Sequence, residues 1–179
     1  MDKIDIVNIC ARGWSLPFLV AMVRGESGRM STLASALNCS RTASRDTLLH
    51  MLQHDLIQRH GGVGHPLRPE FTLTEKGRML GNSLEPALPQ MADDAMTLIR
   101  LKWSVPILVA LDAPLRFNTL ARALPQSTDR ALSQTLGRLE GSDWVDRRVD
   151  TALRPVAVEY NAIGQGAKIG ERLRDALSG

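Results

Sequence analysis

The chain has 179 residues, of which 44% are hydrophobic and 23% charged, so it can bury the core of one ordinary domain or of two small ones. Its longest apolar runs are far shorter than the ~20 residues that cross a bilayer, and its first residues are unlike a signal peptide. The net charge of +3 permits an anionic partner such as nucleic acid. The short apolar runs lead us to expect no membrane partner. Because there are only two cysteines, we expect no disulfide framework and a reduced cytoplasmic setting.

The first half of the chain begins with three predicted helices. Residues 14–23 are strongly apolar and favour a largely buried helix, with Pro17 in a first turn where no amide donor is lost. Residues 31–37 predict a short second helix. The third helix is predicted over residues 40–54, with Ser40 as a good N-cap. Its leucines recur at helical spacing: Leu48, Leu49 and Leu52.

Two β-prone runs and a further helix follow. The runs cover residues 57–59 and 71–73, and the glycine-rich segment 61–66 between them is typical of a hairpin tip. A helix then opens at residues 74–77. Three helices followed by a two-stranded hairpin is the pattern of a winged helix-turn-helix domain, in which the hairpin forms the wing.

The second half of the chain repeats the first in the same order. WSLPFLVAM at residues 14–22 returns as WSVPILVAL at 103–111, and LASAL at 33–37 returns as LARAL at 120–124. Further matches follow in order: Ser40 with Ser127, Leu49 and Leu52 with Leu136 and Leu139, and Gly77 with Gly166. Such an ordered set of matches indicates an internal duplication.

The duplication predicts the fold class, which is mainly α with small β hairpins (α+β). We expect two tandem winged helix-turn-helix domains, one over residues 1–84 and one over residues 85–179, joined by a connector helix at residues 86–102. The elements predicted in the second domain are helices at 103–111, 117–124 and 127–139, strands at 145–149 and 156–160, and a last helix from residue 164.

The second copy also carries the motifs of a known family. It has W-x-x-P-I-L-x-x-L at residues 103–111, R-F-x-x-L at 116–120, and L-x-x-L-E followed by W-V-x-R within 136–147. In this order the motifs resemble the HxlR family of bacterial transcription regulators. The first copy keeps L-T-E-K-G-R at residues 73–78, similar to the end of such wings, but has G-R-M at 28–30 where Arg-Phe is expected.

The resemblance implies a regulator that binds double-stranded DNA, acting as a repressor more often than as an activator. Typical family members have one such domain and pair as homodimers. A chain with two copies therefore leaves two assemblies open: an intramolecular pseudo-dimer, or a homodimer through the connector helix.

The third predicted helix of the first copy suits the major groove. Arg41 and Arg45 are one helical turn apart and share a face. An arginine fork pairs with guanine O6 and N7 or with phosphate, and a helix N-terminus attracts phosphate. We therefore expect DNA contacts from the polar and basic residues of this helix: Ser40, Arg41, Thr42, Ser44 and Arg45. The competing interpretation is a solvated basic face on an interaction domain.

The corresponding helix of the second copy offers a weaker set of contacts. Asp129 lies among its polar residues and would repel phosphate, although a carboxylate can accept a hydrogen bond from cytosine N4. The residues expected to contact DNA here are Ser127, Thr128, Arg130, Gln134 and Arg138.

The wings are expected to contact the DNA backbone. The candidates are Arg59, His65 and Arg68 in the first copy, and Arg148 and Arg154 in the second. Residues 1–84 carry ten Lys and Arg against seven Asp and Glu, whereas residues 85–179 carry twelve against twelve. The first copy is therefore predicted to be the stronger electrostatic anchor. Further phosphate contacts are expected near the second helices, from Arg24, Arg29 and Arg116.

Two other functions are considered: a tandem module that docks proteins, and a redox- or ligand-gated sensor of the same fold. Cys10 and Cys39 are the candidate thiols; a buried structural role is expected for Cys10, and no redox function is expected for Cys39. His50 and His54 have a metal-binding spacing, but no third ligand follows at a suitable position. We expect no cofactor, no metal and, in the absence of catalytic motifs, no enzymatic activity.

Overall fold

The computed structural model of the protein describes residues 3–61, 69–88, 93–150 and 157–178. The elements of the first unit are α1 (Lys3–Ile9), α2 (Ser15–Val23), α3 (Met30–Ala36), α4 (Arg41–Gln53), β1 (Ile57–His60), β2 (Glu70–Leu73) and α5 (Glu75–Leu84). Those of the second unit are α6 (Asp93–Ile99), α7 (Ser104–Ala110), β3 (Leu115–Arg116), α8 (Phe117–Ala123), α9 (Asp129–Glu140), β4 (Val145–Asp150), β5 (Ala157–Ala162) and α10 (Gly164–Ser178). Mainly helical units with small antiparallel hairpins, repeated in tandem, confirm the predicted fold class.

The two hairpins have matching registers. β1 and β2 are antiparallel, with Ile57 opposite Leu73, and β4 and β5 pair in the same way, with Val145 opposite Ala162. The short strand β3 pairs with the free edge of β5. In the first unit, the equivalent contact is a single bridge between Arg29 and Glu70. The hairpin of each unit, which forms the wing, therefore lies against the start of α3 in the first unit and of α8 in the second.

Two glycines allow the last helix of each unit to pack closely on the hairpin. A Cβ on Gly77 of α5 would lie 2.0 Å from the carbonyl oxygen of Leu56, and one on Gly166 of α10 would lie 2.3 Å from that of Trp144. Any larger side chain would clash with the backbone at these positions. The match of Gly77 with Gly166 in the sequence thus reports a shared packing requirement.

The two units pack on each other through reciprocal contacts. α5 packs against α10, while α1 of the first unit contacts α7 of the second and α6 of the second contacts α2 of the first. The guanidinium of Arg100, just after α6, lies 3.6 Å from the centre of the Trp14 ring. The buried residues of both units form one continuous hydrophobic core.

The connector differs from its prediction. Residues 86–102 were predicted as one helix; in the part that the structure describes, Glu85–Ala87 forms a single 3-10 turn and Asp93–Ile99 forms α6, while residues 89–92 lie outside the described ranges. Leu88 leaves the helical conformation, with φ −124° and ψ 55°, because a following proline disfavours the α region for the residue before it. Two elements were not predicted at all, the short helix α1 and the two-residue strand β3.

The structural alignment of helix α4 with helix α9 is shifted by one residue from the alignment made by matching the sequences. The side chains of Ser40 and Thr128 cap α4 and α9, and each accepts a hydrogen bond of 3.2 Å from the amide three residues on. Ser40 is thus confirmed as an N-cap, but its equivalent is Thr128, not Ser127. Leu48 and Leu136 are both buried, whereas Leu49 is 48% exposed. Pairing Leu49 with Leu136 was therefore wrong. The buried residues of α4 that correspond to Leu136 and Leu139 are Leu48 and Met51, and matching leucine to leucine passed over the methionine.

Candidate nucleic-acid interface

Helix α4 presents its basic residues to solvent and its apolar residues to the core. Arg41, Thr42 and Arg45 are exposed, while Leu48 and Met51 anchor the helix to the core. Ser44 does not belong to the exposed set. It is fully buried, and its hydroxyl donates a 2.9 Å hydrogen bond to the carbonyl of Ser40, so the expectation that its side chain contacts DNA was wrong.

Four arginines surround a groove between α4, the start of α3 and β1. We call this the arginine groove; its volume is about 890 Å³, and its arginines are Arg29, Arg41, Arg45 and Arg59. Its apolar lining includes Leu48, Leu49, Leu52 and Phe71. Within the described residues none of the four guanidinium groups forms an ion pair. Four uncompensated positive charges around one groove produce a local potential that attracts a polyanion.

Leu49 is a groove residue that the helical spacing of leucines did not distinguish from Leu48 and Leu52. It lies on the same side of α4 as Arg41 and Arg45 and is one of the few large hydrophobic side chains exposed in the described part of the chain. Helical periodicity does not separate it from Leu48, because adjacent leucines fit the apolar pattern equally well. The structure shows that Leu48, like Met51, is buried and that Leu49 is exposed.

Two of the arginines predicted to contact phosphate near α3 and α8 form ion pairs within the protein. Arg24 forms an ion pair of 3.1 Å with Glu85 and also donates to the carbonyl of Leu88. Arg116 lies 3.8 Å from the carboxylate of Glu159. Of the three arginines predicted near these helices, Arg29 alone has no such partner among the described residues.

Helix α9 carries its positive charges on a single stripe. Arg130, Gln134 and Arg138 follow one another at intervals of four residues and are all exposed, while Leu132, Leu136 and Leu139 are buried beneath them. Thr128 is exposed as the cap. Ser127 lies outside the helix and is half-buried, with its hydroxyl donating to the carbonyl of Leu124 at 2.7 Å.

The predicted wing residues differ in what the structure shows of them. Arg59 is exposed at the edge of the arginine groove. Arg148 is exposed but forms an ion pair of 2.7 Å with Asp146, which reduces the net charge that it presents. His65, Arg68 and Arg154 lie outside the described residues.

The two thiols are buried. Burial raises the pKa of Cys10 to about 12, so this thiol carries almost no thiolate at neutral pH and is a poor nucleophile. Cys39 is also covered, and its Sγ lies 3.6 Å from the carbonyl oxygen of Ser40.

The predicted histidine pair is also involved in packing. His50 Nε2 lies 3.0 Å from the carbonyl oxygen of Asn8, and burial together with neighbouring His54 lowers the pKa of His50. The described residues contain no cluster of three side chains suited to hold a metal ion. Nor does any helix among them have the length and apolar character needed to cross a membrane.

Comparison with known proteins gives the family. No curated protein matches the chain. Among solved structures, half of the chain is similar to the reduced form of the transcriptional regulator YodB from B. subtilis, with 25% identity, a TM-score of 0.43, and coverage of 50% of this chain and 90% of that one. The family of HxlR-like helix-turn-helix proteins matches the chain twice, over residues 9–97 and 98–177. The two family matches confirm the predicted resemblance and its duplication, and they support a DNA-binding transcription regulator. The chain therefore belongs to the HxlR-like helix-turn-helix family.

Proposed function

We propose that the protein is a sequence-specific regulator of transcription that binds duplex DNA and represses by occupying promoter DNA and excluding polymerase. The observation that carries this proposal is the arginine groove. Its four guanidinium groups have no ionic partner among the described residues, and they flank the exposed face of a helix in a helix-turn-helix unit. Such a regulator acts on the chromosome, in the cytoplasm at the nucleoid.

In the proposed complex, α4 enters the major groove with its N-terminal half. Arg41 and Arg45 pair with guanine edges or phosphates, because a guanidinium fork matches both acceptors. Ser40 and Thr42 lie at the exposed start of the helix, where backbone amides also favour a phosphate. Arg29 and Arg59, which line the arginine groove beside α4, contact the DNA backbone, as do His65 and Arg68 beyond β1.

The second domain is proposed to contact the same duplex through α9 and its wing. Its contacting residues are Ser127, Thr128, Arg130, Gln134, Arg138, Arg148 and Arg154. The packing of α5 on α10 and the reciprocal contacts of α1 and α6 support one chain acting as an intramolecular pseudo-dimer, with domains over residues 1–84 and 85–179. Its site would be an imperfect palindrome or a repeat, because the two helices differ in sequence.

DNA affinity measured across a range of salt concentrations tests this function. Counterion release makes the logarithm of the binding constant fall linearly with the logarithm of salt concentration. The double variant R41A/R45A should bind genomic fragments much more weakly. It should also make the salt slope shallower, by about one unit for each of the two arginines that neutralises a phosphate, whereas an arginine that pairs with guanine should show as a loss of base preference. A matched control is R78A/R172A, which removes two exposed arginines from α5 and α10.

The control should bind as the wild-type protein does. Fluorescence anisotropy of a labelled duplex measures both quantities, and circular dichroism verifies that each variant is folded. Failure of the wild-type chain to bind DNA at low salt would overturn the proposed function. Unchanged binding by R41A/R45A would favour the alternative, in which the same surface docks a protein.

A further inference from the structure

We infer that the two units read DNA with different flanks of their recognition helices, so that the operator has two unlike halves. This inference rests on the proposed function and concerns which residues of each helix determine specificity. It depends on which residues of α4 and α9 are structurally equivalent, and matching hydrogen bonds at both ends of the two helices establish this correspondence. Ser40 and Thr128 cap the two helices in the same way, and where the helices end, Leu56 and Trp144 donate equivalent 2.9 Å hydrogen bonds to Met51 and Leu139.

In α4 the available flank faces the wing. This wing flank consists of Arg41, Arg45 and Leu49, which line the arginine groove. The opposite flank consists of Thr42, Asp46 and His50.

The opposite flank of α4 faces its own chain. Thr42 and Asp46 line a small pocket with the segment that follows α1, and His50 contacts the Asn8 carbonyl of α1. Beyond Thr42 at its exposed start, this flank carries the Asp46 carboxylate, which repels phosphate, and Arg12 of the preceding segment lines the same pocket. Both arginines of α4 itself lie on the wing flank, which is therefore the more basic side of this helix.

In α9 the distribution of charge is reversed. The positions equivalent to the wing flank are occupied by Asp129, Ser133 and Gly137, and those equivalent to the opposite flank by Arg130, Gln134 and Arg138. All six are exposed. The wing flank of α9 thus has an acid and no cation, whereas its opposite flank has two arginines that form no ion pair within the described residues.

Two residues around α9 reinforce this reversal, whereas Arg147, at the position of Arg59, is an exposed cation with no ion pair within the described residues. Arg116, at the position of Arg29, is within 3.8 Å of Glu159, and Glu140 stands where Leu52 lines the arginine groove. Successive residues of an α-helix are separated by about 100° around its axis. A shift of one residue therefore rotates the cationic stripe of α9 by about that angle relative to the stripe of α4.

The chemistry of the two stripes specifies different bases. Arg41 and Arg45 match guanine O6 and N7, and the branched side chain of Leu49 adds an apolar surface for a thymine methyl. On α9, Arg130 and Arg138 match guanine or phosphate as the arginines of α4 do, and Gln134 between them matches adenine N6 and N7. The adenine is therefore what distinguishes this half of the site. Asp129 repels phosphate on the wing flank of α9, so that flank is less suited to DNA than the wing flank of α4.

Selection of duplexes from a random pool by the full-length chain tests the inference. The enriched site should contain two unlike halves, one specified by Arg41, Arg45 and Leu49 and the other marked by an adenine opposite Gln134. The variant R45A should lose base preference in the first half alone, and Q134A in the second half alone. S133A, a matched control on the wing flank of α9, should leave the enriched sequence unchanged.

Three outcomes would overturn the inference. The first is a palindromic site with identical halves. The second is a loss of preference in S133A with none in Q134A, which would mean that α9 docks by its wing flank as α4 does. The third is the absence of any enriched sequence, which would overturn the proposed sequence-specific function as well. Since all three substituted residues are exposed, thermal melts should match that of the wild-type chain.

Discussion

The two units share their internal packing and differ on the surfaces that face outward. Both units have buried helices of similar sequence and a close glycine contact beside the hairpin. Both also have a residue in the left-handed conformation after the helix α4 or α9. The turn residues are Asp55, with φ 54°, and Asp143, with φ 57°. In contrast, the exposed arginines of α4 are replaced in α9 by Asp129 and Ser133.

This difference separates the requirements of folding from those of binding. Interior positions of a close-packed protein tolerate few changes of volume, and both units meet the same requirement at Gly77 and Gly166. Exposed positions are restrained by whatever partner they contact. The comparison therefore indicates that the two units retain the same internal packing while their exposed binding surfaces differ.

The largest expected effect tests the structural equivalence of α4 and α9. Leu48→Ala and Leu136→Ala should each reduce the free energy of unfolding by about 2–5 kcal/mol, because both remove buried methyl groups. Leu49→Ala should change it by less than ~0.5 kcal/mol, since the side chain is exposed. Urea denaturation measures all three. A loss from Leu49→Ala as large as that from Leu136→Ala would restore the pairing made from sequence.

A smaller effect tests whether the packing is truly shared. Gly77→Ala and Gly166→Ala should each destabilise the protein by about 1–3 kcal/mol, because the added methyl group meets a backbone carbonyl. Gly137→Ala is the matched control: its position in α9 is open, so it should stabilise the helix by about 0.5–1 kcal/mol. Thermal unfolding followed by circular dichroism gives the comparison. If only one of the two packed glycines is sensitive, the units do not share this contact.

The smallest effect concerns a polar group buried at the same place in both units. The hydroxyls of Ser15 and Ser104 are fully buried and have no hydrogen-bond partner among the described residues. Replacing either with alanine should raise the free energy of unfolding by about 1 kcal/mol, because an unpaired buried hydroxyl is costly. Ser83→Ala, in α5, is the contrasting case: its hydroxyl donates to the carbonyl of Met79, so this replacement should not bring the same gain. Destabilisation by Ser15→Ala or Ser104→Ala would show that the hydroxyl has a favourable role.

Much of the fold was predictable because its signals are local. Apolar runs, N-caps and the glycine-rich hairpin tip located the elements from α2 to α5, and the repeat located their counterparts. α1 and β3 were missed because each is too short to be stable alone and depends on a partner distant in sequence. α1 contacts α7, and Arg116 of β3 pairs with Glu159 of β5.

The candidate interface was predicted less completely. Arg41, Arg45 and Arg59 are exposed as expected, since charged residues on a helix or wing seldom lie in a core. Their arrangement with Arg29 around one groove depends on tertiary packing, which spacing alone does not give. The burial of Ser44 and the exposure of Leu49 were missed for the same reason, because both depend on how α4 is rotated against the core.

The central claim is that one chain brings two recognition helices to one duplex. Hydroxyl-radical footprinting of the full-length chain on its selected site tests this most directly. We predict two protected patches on one face of the DNA, separated by one helical turn (about 10–10.5 base pairs) or a multiple of it. R41A/R45A should weaken the patch over the half that α4 contacts more than the other. A single patch, or none, would contradict the account.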